Sequence, residues 1–295
     1  MKYANRDRDM SDSVHVGIPN NVTDSDTVTN RGAPGFKTLL DFAHALADIS
    51  GAIIRPYFRK PLTVENKGEK GAFDPVTEAD RAAERAMRRA LAHRWPEHGL
   101  IGEELGSAGE GSRFRWVVDP IDGTRAFIMG SPLWGTLIGL LDGKEAVLGL
   151  MDQPFTGERF WSGARTAHFR NGSGKARRLK TRPCASLAQA TLTTTHPDLF
   201  AKGREADAFA RLAERARMTR FGGDCYGYCL LAAGFVDLVV EAGLKSHDVV
   251  ALIPIIERAG GRITTWNGEP ATAGGRIVAA GDARLHEQAL AVLAK

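Results

Sequence analysis

Two aspartates, three residues apart, follow a short apolar run in the stretch Trp116-Val-Val-Asp-Pro-Ile-Asp-Gly-Thr124. Pro120 fixes φ and has no backbone N–H to donate, so we expect the strand to end there and a turn to bring both carboxylates around one point. Gly123 allows a tight turn, and its N–H and that of Thr124 can face an anion. A single Asp-Pro or Asp-Gly pair is usually a surface turn. The complete string, however, predicts a place where a divalent metal ion and a phosphate bind together.

The same string, Asp119-Pro-Ile-Asp-Gly-Thr124, resembles the signature of the inositol monophosphatase superfamily, whose members are Mg-dependent phosphatases. The resemblance runs from about Phe36 to the C-terminus. Asp152-Gln-Pro154 and Gly223-Asp-Cys-Tyr226 are similar to the forms found in the histidinol-phosphate phosphatases of this superfamily. The resemblance implies a layered αβαβα fold of the sugar-phosphatase type, a homodimer, and about two or three Mg²⁺ ions in each active site.

The resemblance also implies which oxygen atoms bind these ions. The ligands are Glu103, Asp119, the carbonyl of Ile121, Asp122 and Asp248. Taken alone, Gly102-Glu-Glu104 would equally be a surface turn, and Asp248 would be the N-cap of the helix that follows it. Several carboxylates cannot be buried together without cations to balance them. Hard oxygen donors, with few histidine or cysteine candidates, favour Mg²⁺ over Zn²⁺.

Catalytic roles follow from the resemblance for the side chains around these ligands. Glu103 and Thr124 are expected to activate a water that attacks the phosphate in line. Asp74, Thr77 and Lys67 match a segment that helps to hold this water, although a helix cap is the alternative for Thr77. The N–H groups of the Gly-Thr pair are expected to bind phosphate oxygens. Mg²⁺ held by the aspartates then stabilises the leaving alkoxide, and no phosphoenzyme forms.

Thr195, Asp224 and Glu241 match positions at the other end of the family's site, where the organic part of the substrate binds. Two anions suit a cationic organic group, and histidinol carries an amine and an imidazole, so we predict histidinol phosphate as the substrate. Inositol monophosphate or another small sugar phosphate is the alternative. Asp224 could also simply cap its helix. A protein that binds RNA or RNA polymerase and whose phosphatase site is vestigial is the alternative of another class, and the intact set of acids argues against it.

Hydrophobic spacing predicts the elements that position these residues. Apolar residues at helical intervals predict a helix from Phe36 to about Phe58 and a second helix that ends at Arg94. Two strands, Trp134 to Leu141 and Ala146 to Met151, flank a hairpin turn at Asp142-Gly-Lys144. The C-terminal half is predicted to contain strands at 190–195 and 235–241 and helices at 206–216, 224–234 and 249–259.

Three parts make up the predicted domain organisation. Residues 1–34 are polar and have no periodicity, so we expect a disordered extension. Residues 35–181 are expected to form an α+β metal-binding domain with helices and an antiparallel sheet. Residues 182–295 are expected to form an α/β substrate-recognition domain with helices and a mixed sheet.

The bulk composition is typical of a globular enzyme, with 43% hydrophobic and 25% charged residues among 295. The net charge is +4, and the lysines and arginines are scattered along the sequence. We interpret the arginine cluster around Glu84 as a solvated helix face. We therefore expect a small phosphate ester, not a nucleic acid, as the partner. Three cysteines without zinc spacing are expected to be free thiols of a cytoplasmic protein. The sequence contains neither an apolar run that spans a membrane nor a signal-peptide pattern.

Overall fold

Two amphipathic helices and a short hairpin begin the described part of the chain. The structure, a computed structural model, describes residues 34–68 and 75–295. The first elements are α1 (Phe36–Ile54), β1 (Val64–Asn66), β2 (Pro75–Thr77) and α2 (Glu78–Arg94). Both helices agree with the apolar spacing of the sequence. The predicted extension, up to residue 33, and the candidate catalytic residue Asp74 lie outside the described residues.

An eight-stranded sheet occupies the middle of the chain. Its strands are β3 (Gly99–Gly102), β4 (Gly106–Ala108), β5 (Phe114–Asp122), β6 (Gly135–Asp142), β7 (Glu145–Gln153), β8 (Glu158–Ser162), β9 (Ala167–Asn171) and β10 (Arg177–Arg178), and the short helix α3 (Thr124–Ile128) follows β5. The strand order is β10-β9-β8-β7-β6-β5-β3-β4. The pairs are antiparallel, as predicted, with the exception of β3 and β5, which run parallel.

A second, five-stranded sheet is built from the C-terminal third of the chain. Its elements are β11 (Thr191–Thr194), α4 (Arg204–Arg215), β12 (Met218–Phe221), α5 (Asp224–Ala232), β13 (Leu238–Leu244), α6 (Ser246–Val249), α7 (Leu252–Ala259), β14 (Arg262–Thr265), β15 (Gly275–Ala280) and α8 (Ala283–Leu293). The order β12-β11-β13-β15-β14 combines two parallel and two antiparallel pairs. This is the mixed sheet that the sequence predicts.

Helices and sheets alternate in five layers. Helices α1 and α2 pack on one face of the eight-stranded sheet, against Trp116, Ile138 and Leu150 among others. Helices α5 and α7 lie between the two sheets, and α4 and α8 cover the outer face of the five-stranded sheet. The order of layers is therefore αβαβα, which confirms the predicted fold class.

Two glycines allow the segment between α6 and α7 to lie directly on the eight-stranded sheet. Gly139 and Gly149 are register partners on β6 and β7. A Cβ atom at Gly149 would lie 1.8 Å from the carbonyl oxygen of Ala251, and one at Gly139 would lie 2.7 Å from a methyl group of Val250. Only hydrogen atoms fit at these contacts. The two glycines thus fix the height above the sheet of the α6–α7 junction, which directly follows Asp248 and the end of α6.

Strand β5 continues through Pro120, so the expectation that strand pairing ends at this proline was wrong. Asp119 pairs with Leu137 and Asp122 pairs with Gly135, so three steps along β5 correspond to two along β6. This register shift is a β-bulge, in which the extra residue makes no ladder hydrogen bond. A proline inside the bulge therefore costs no ladder hydrogen bond.

Residues Phe36–Lys295 form one compact unit. The eight-stranded sheet ends at Arg178 and the five-stranded sheet begins at Thr191, on either side of the predicted domain boundary at residue 182. The division into two domains stays a prediction. None of the helices in the described parts of the chain combines the length and apolar character needed to cross a membrane.

Candidate active site

A cavity of about 580 Å³ opens where the end of β5 meets the C-terminal third of the chain. One group of lining residues comes from the first half of the chain: Glu103, Asp119, Ile121, Asp122, Gly123, Thr124, Arg125 and Met129. A second group comes from the C-terminal third: Thr195, His196, Phe221, Asp224, Tyr228, Glu241 and Asp248. Nearly all of the site residues predicted from the sequence therefore lie on one cavity wall or the other.

Three carboxylates converge at one end of this cavity. One oxygen from each of Asp119, Asp122 and Asp248 lies within 4.8 Å of the other two. In a regular strand, residues three apart point to opposite faces of the sheet. The bulge adds one residue between Asp119 and Asp122 and turns both side chains to the same side. Asp248 reaches them from α6, where its carboxylate also accepts the N–H of Lys245 at 2.6 Å.

The bulge has its own hydrogen bonds, made by side chains instead of the sheet ladder. The N–H of Ile121 donates to the Asp119 carboxylate at 3.0 Å, and the carbonyl of Pro120 accepts the hydroxyl of Thr136 at 2.7 Å. These bonds satisfy backbone groups that a bulge leaves unpaired. Asp119 is thus fixed both by its burial and by the backbone that it binds.

Burial and mutual repulsion shape the electrostatics of the three aspartates. Burial raises the pKa of Asp119 well above its usual value, and the charges of Glu103, Asp122 and Asp248 raise it further. Burial likewise raises the pKa of Asp122, together with the charges of Asp224 and Asp248. Close carboxylates of this kind are stable when ionised only beside a cation. The all-oxygen donor set fits Mg²⁺.

Glu103 is positioned by a buried glutamate on α2. The Glu84 carboxylate accepts the N–H groups of Glu104 and Leu105, at 2.8 and 3.2 Å, and forms an ion pair with Arg88. Glu84 is fully buried, so the interpretation of this helix surface as a solvated face was wrong at this position. A buried carboxylate is stable here because every partner donates to it.

Lys67 forms ion pairs with both acids of the Gly-Glu-Glu turn. Its ammonium nitrogen lies 2.6 Å from an oxygen of Glu103 and 2.6 Å from an oxygen of Glu104. Burial alone would raise the pKa of Glu103, but the hydrogen bond and charge of Lys67 hold it below the usual value. Burial raises the pKa of Glu104 to about 7. Glu103 is therefore the more readily ionised member of the pair.

The turn after the bulge places backbone groups and a hydroxyl beside the aspartates. Gly123 has a φ of 85°, and a Cβ atom there would lie 2.9 Å from the carbonyl of Leu133 and 3.2 Å from Asp224. Only glycine meets both requirements. The hydroxyl of Thr124 donates to the carbonyl of Ile121 at 2.9 Å, so its oxygen remains an acceptor.

A glutamate held by three hydrogen bonds also lines the cavity. The carboxylate of Glu241 accepts the N–H and the hydroxyl of Thr195, at 2.9 and 2.5 Å, and the hydroxyl of Tyr228 at 3.1 Å. Burial raises the pKa of Glu241 to about 7. Tyr228 was not predicted, although its position four residues after Asp224 on α5 places both on one helix face.

Asp224 begins α5 in a left-handed backbone conformation, with a φ of 45°. Its N–H donates to the Thr195 hydroxyl at 3.1 Å, and the next N–H, of Cys225, donates to Asp122 at 2.7 Å. Gly223 is the N-cap residue, so Asp224 does not cap this helix. Burial raises the pKa of Asp224 to about 6, although the charge of Arg125 opposes the shift. The left-handed backbone conformation of Asp224 thus holds its carboxylate in the cavity.

Thr77 lies apart from the cavity wall. It is the N-cap of α2, and its N–H and hydroxyl both donate to the buried carboxylate of Asp80, at 2.9 and 2.5 Å. The helix-capping alternative therefore describes its contacts. Its catalytic role stays a prediction, as does that of Asp74, which lies outside the described residues.

Comparisons with known proteins place this site in context. Residues 36–295 match the inositol monophosphatase family. The chain is 44% identical over 260 residues to the bifunctional phosphatase IMPL2, chloroplastic, of Arabidopsis thaliana, covering 84% of this chain and 72% of that protein. It is 36% identical to a histidinol-phosphatase of Streptomyces coelicolor, covering 88% and 98% of the two chains. An inositol monophosphatase from Zymomonas mobilis has a similar structure, with a TM-score of 0.78 at 42% identity over 89% of this chain and 100% of that one.

Proposed function

Because the chain belongs to the inositol monophosphatase family, we propose that it is a Mg-dependent phosphatase that hydrolyses histidinol phosphate to histidinol and phosphate. The observation that carries the proposal is the convergence of Asp119, Asp122 and Asp248 in a cavity that Asp224 also lines. The three converging aspartates suit a metal-bound phosphate, and Asp224 suits a cationic leaving group. The similarity to a named histidinol-phosphatase supports the same substrate.

The hard oxygen ligands proposed for the metal are Glu103, Asp119, the carbonyl of Ile121, Asp122 and Asp248. Bound there, Mg²⁺ would neutralise the phosphate dianion and make water a stronger acid. Glu103, kept ionised by Lys67, is placed to accept a proton from the attacking water. The hydroxyl of Thr124 donates a hydrogen bond to the carbonyl of Ile121. Its oxygen therefore accepts a hydrogen bond from that water and orients it.

The remaining residues hold the two ends of the ester. The N–H groups of Gly123 and Thr124 would bind phosphate oxygens, since both residues line the cavity next to Asp122. Asp224 binds the amine of histidinol through a charge-assisted hydrogen bond. Glu241 and Thr195 complete this end of the site. Their mutual hydrogen bonds make them a rigid wall, which contacts the organic group without rearrangement.

Release of inorganic phosphate tests the substrate directly. With Mg²⁺ present, we expect kcat/KM for histidinol phosphate to exceed that for inositol 1-phosphate by at least about tenfold, because Asp224 attracts only the cationic group. The Zymomonas mobilis structure supports inositol monophosphate as the second candidate. A preference for inositol 1-phosphate would overturn the substrate assignment.

The substitution Asp224→Asn tests the proposed contact. Loss of one charge-assisted hydrogen bond should lower kcat/KM for histidinol phosphate by roughly 10- to 100-fold. The same variant should change inositol 1-phosphate turnover much less. Asp207→Asn, at an exposed position on α4, is the matched control. Equal losses with both substrates would refute the contact.

A binding function is the candidate of another class. It would require that the protein releases no phosphate from either ester in Mg²⁺ and that it binds RNA tightly and in a salt-sensitive manner.

We also propose, on the family resemblance, that the protein is a cytoplasmic homodimer. Light scattering coupled to gel filtration measures the oligomeric state.

A further inference from the structure

Two large apolar side chains remain exposed at the rim of the cavity. Met129, after α3, is 78% exposed, and Phe221, at the end of β12, is 52% exposed. Both line the same cavity as Asp224, together with the half-buried Leu199. An exposed phenylalanine forgoes about 2 kcal/mol of burial. Apolar side chains left open around a few polar groups are characteristic of ligand sites.

The chain fixes where Phe221 lies relative to the acid. It lies three positions before Asp224, and Gly222 between them has a φ of 78°. The N–H of Gly222 donates to the carbonyl groups of Thr194 and Thr195, so the turn is tied to the end of β11. The phenyl ring and the carboxylate therefore stand on one short, hydrogen-bonded segment that lines the cavity.

We propose that Met129, Leu199 and Phe221 form an apolar lip that receives a flat, ring-bearing leaving group, and that Phe221 is a specificity-determining residue. The inference rests on the proposed function, because it assumes that a phosphate ester binds with its phosphate at the aspartate cluster. A planar ring can stack on the phenyl face while an amine on the same leaving group reaches Asp224. A cationic ring gains further attraction from the π-face.

The lip discriminates against polyols for a physical reason. The ring of inositol is not flat, so hydroxyl or C–H groups project from both of its faces. Its hydroxyls lose their bound water when they approach a phenyl ring. Burial of a hydroxyl without a hydrogen-bond partner costs about 1–3 kcal/mol. A flat heteroaromatic ring exposes its polar atoms only at its edge. The lip therefore favours leaving groups with one flat, weakly hydrated face.

The test compares three esters with the full-length protein in Mg²⁺. Histidinol phosphate and p-nitrophenyl phosphate carry flat rings, whereas β-glycerophosphate carries none. For Phe221→Ala we expect KM to rise about tenfold with the two ring-bearing esters, with kcat within about twofold, because a ring contact is worth about 1 kcal/mol or more. KM for β-glycerophosphate should not change. Phe221→Trp should restore the low KM values.

Met218→Ala is the matched control, because Met218 lies on the same strand, is 45% exposed and is not among the residues that line the cavity. It should leave all three KM values unchanged. Two results with Phe221→Ala would overturn the proposed role of the lip. One is an equal KM rise for all three esters, and the other is no rise for either ring-bearing ester. Failure of the wild-type protein to hydrolyse histidinol phosphate would instead overturn the proposed function. The lip would still be decided by the KM values for p-nitrophenyl phosphate and β-glycerophosphate.

Discussion

The substitution Gly149→Ala should weaken metal binding without touching a metal ligand. The added methyl carbon would lie 1.8 Å from the carbonyl oxygen of Ala251, whereas such contacts are essentially never below 3.0 Å. The segment after α6 must therefore move away from the sheet by about 1 Å, and Asp248 lies three residues before Ala251. A displacement of about 1 Å in a catalytic group can lower the rate about 100-fold.

We expect kcat/KM to fall by roughly that factor and the affinity for Mg²⁺, measured by titration calorimetry, to fall at least about tenfold. The free energy of unfolding should fall by about 1–3 kcal/mol, which leaves the protein folded at 25 °C. Circular dichroism establishes that the variant is folded. The loss of Mg²⁺ affinity is the informative result. A general loss of packing would affect the whole protein, whereas displacement of Asp248 affects the metal site.

Substitutions at two further glycines serve as comparisons for Gly149→Ala. Gly111→Ala is the control, because a Cβ atom there would have no atom within 4 Å. Gly139→Ala should have an intermediate effect, since its closest contacts, a methyl group of Val250 at 2.7 Å and the backbone nitrogen of Ala251 at 2.9 Å, overlap less severely. A folded Gly149→Ala variant with native affinity for Mg²⁺ would refute the reasoning, as would an equal effect of Gly111→Ala.

Two other predictions concern charge. The pKa values of Asp119 and Asp122 are raised in the folded, metal-free chain, so stability falls as pH rises from the unfolded value of 3.8 towards the folded value. Mg²⁺ cancels this loss, and its addition should raise Tm more at about pH 8 than at about pH 5.5; an equal or smaller shift at the higher pH would contradict this. Glu84→Gln should cost about 3 kcal/mol or more of stability and weaken Mg²⁺ binding, because a buried ion pair is broken. Glu78→Gln removes an exposed pair on the same helix and should cost at most about 1 kcal/mol; similar losses for both would refute the role of Glu84.

The periodic parts of the sequence predicted the fold well. Apolar residues at helical spacing gave α1 and α2, and the Asp-Gly-Lys turn at 142–144 gave the hairpin of β6 and β7. These signals are local, because each depends on residues within one element. The strand expected at 235–241 instead begins at Leu238, and Phe235 is 62% exposed. Short apolar runs leave such boundaries poorly defined.

Long-range features of the site were less accessible. The sequence identified the acids that the structure brings together, largely through the family string, but their roles stay predictions. It did not reveal that Glu84 supports the Gly-Glu-Glu turn, because burial of a charged residue depends on partners 20 residues away. The left-handed conformation of Asp224 was equally hidden, since the surrounding tertiary contacts impose it.

The β-bulge in β5 makes the spacing of the two aspartates as important as their identity. A point substitution at Asp119 or Asp122 changes the chemistry of one side chain but leaves the direction of the other intact. Insertion of a single residue between them, with no second bulge to absorb it, would shift one aspartate by one position and turn its carboxylate to the helices on the far face. Length variation is therefore barred from this segment, while the surface hairpins of the same sheet are free to lengthen and shorten.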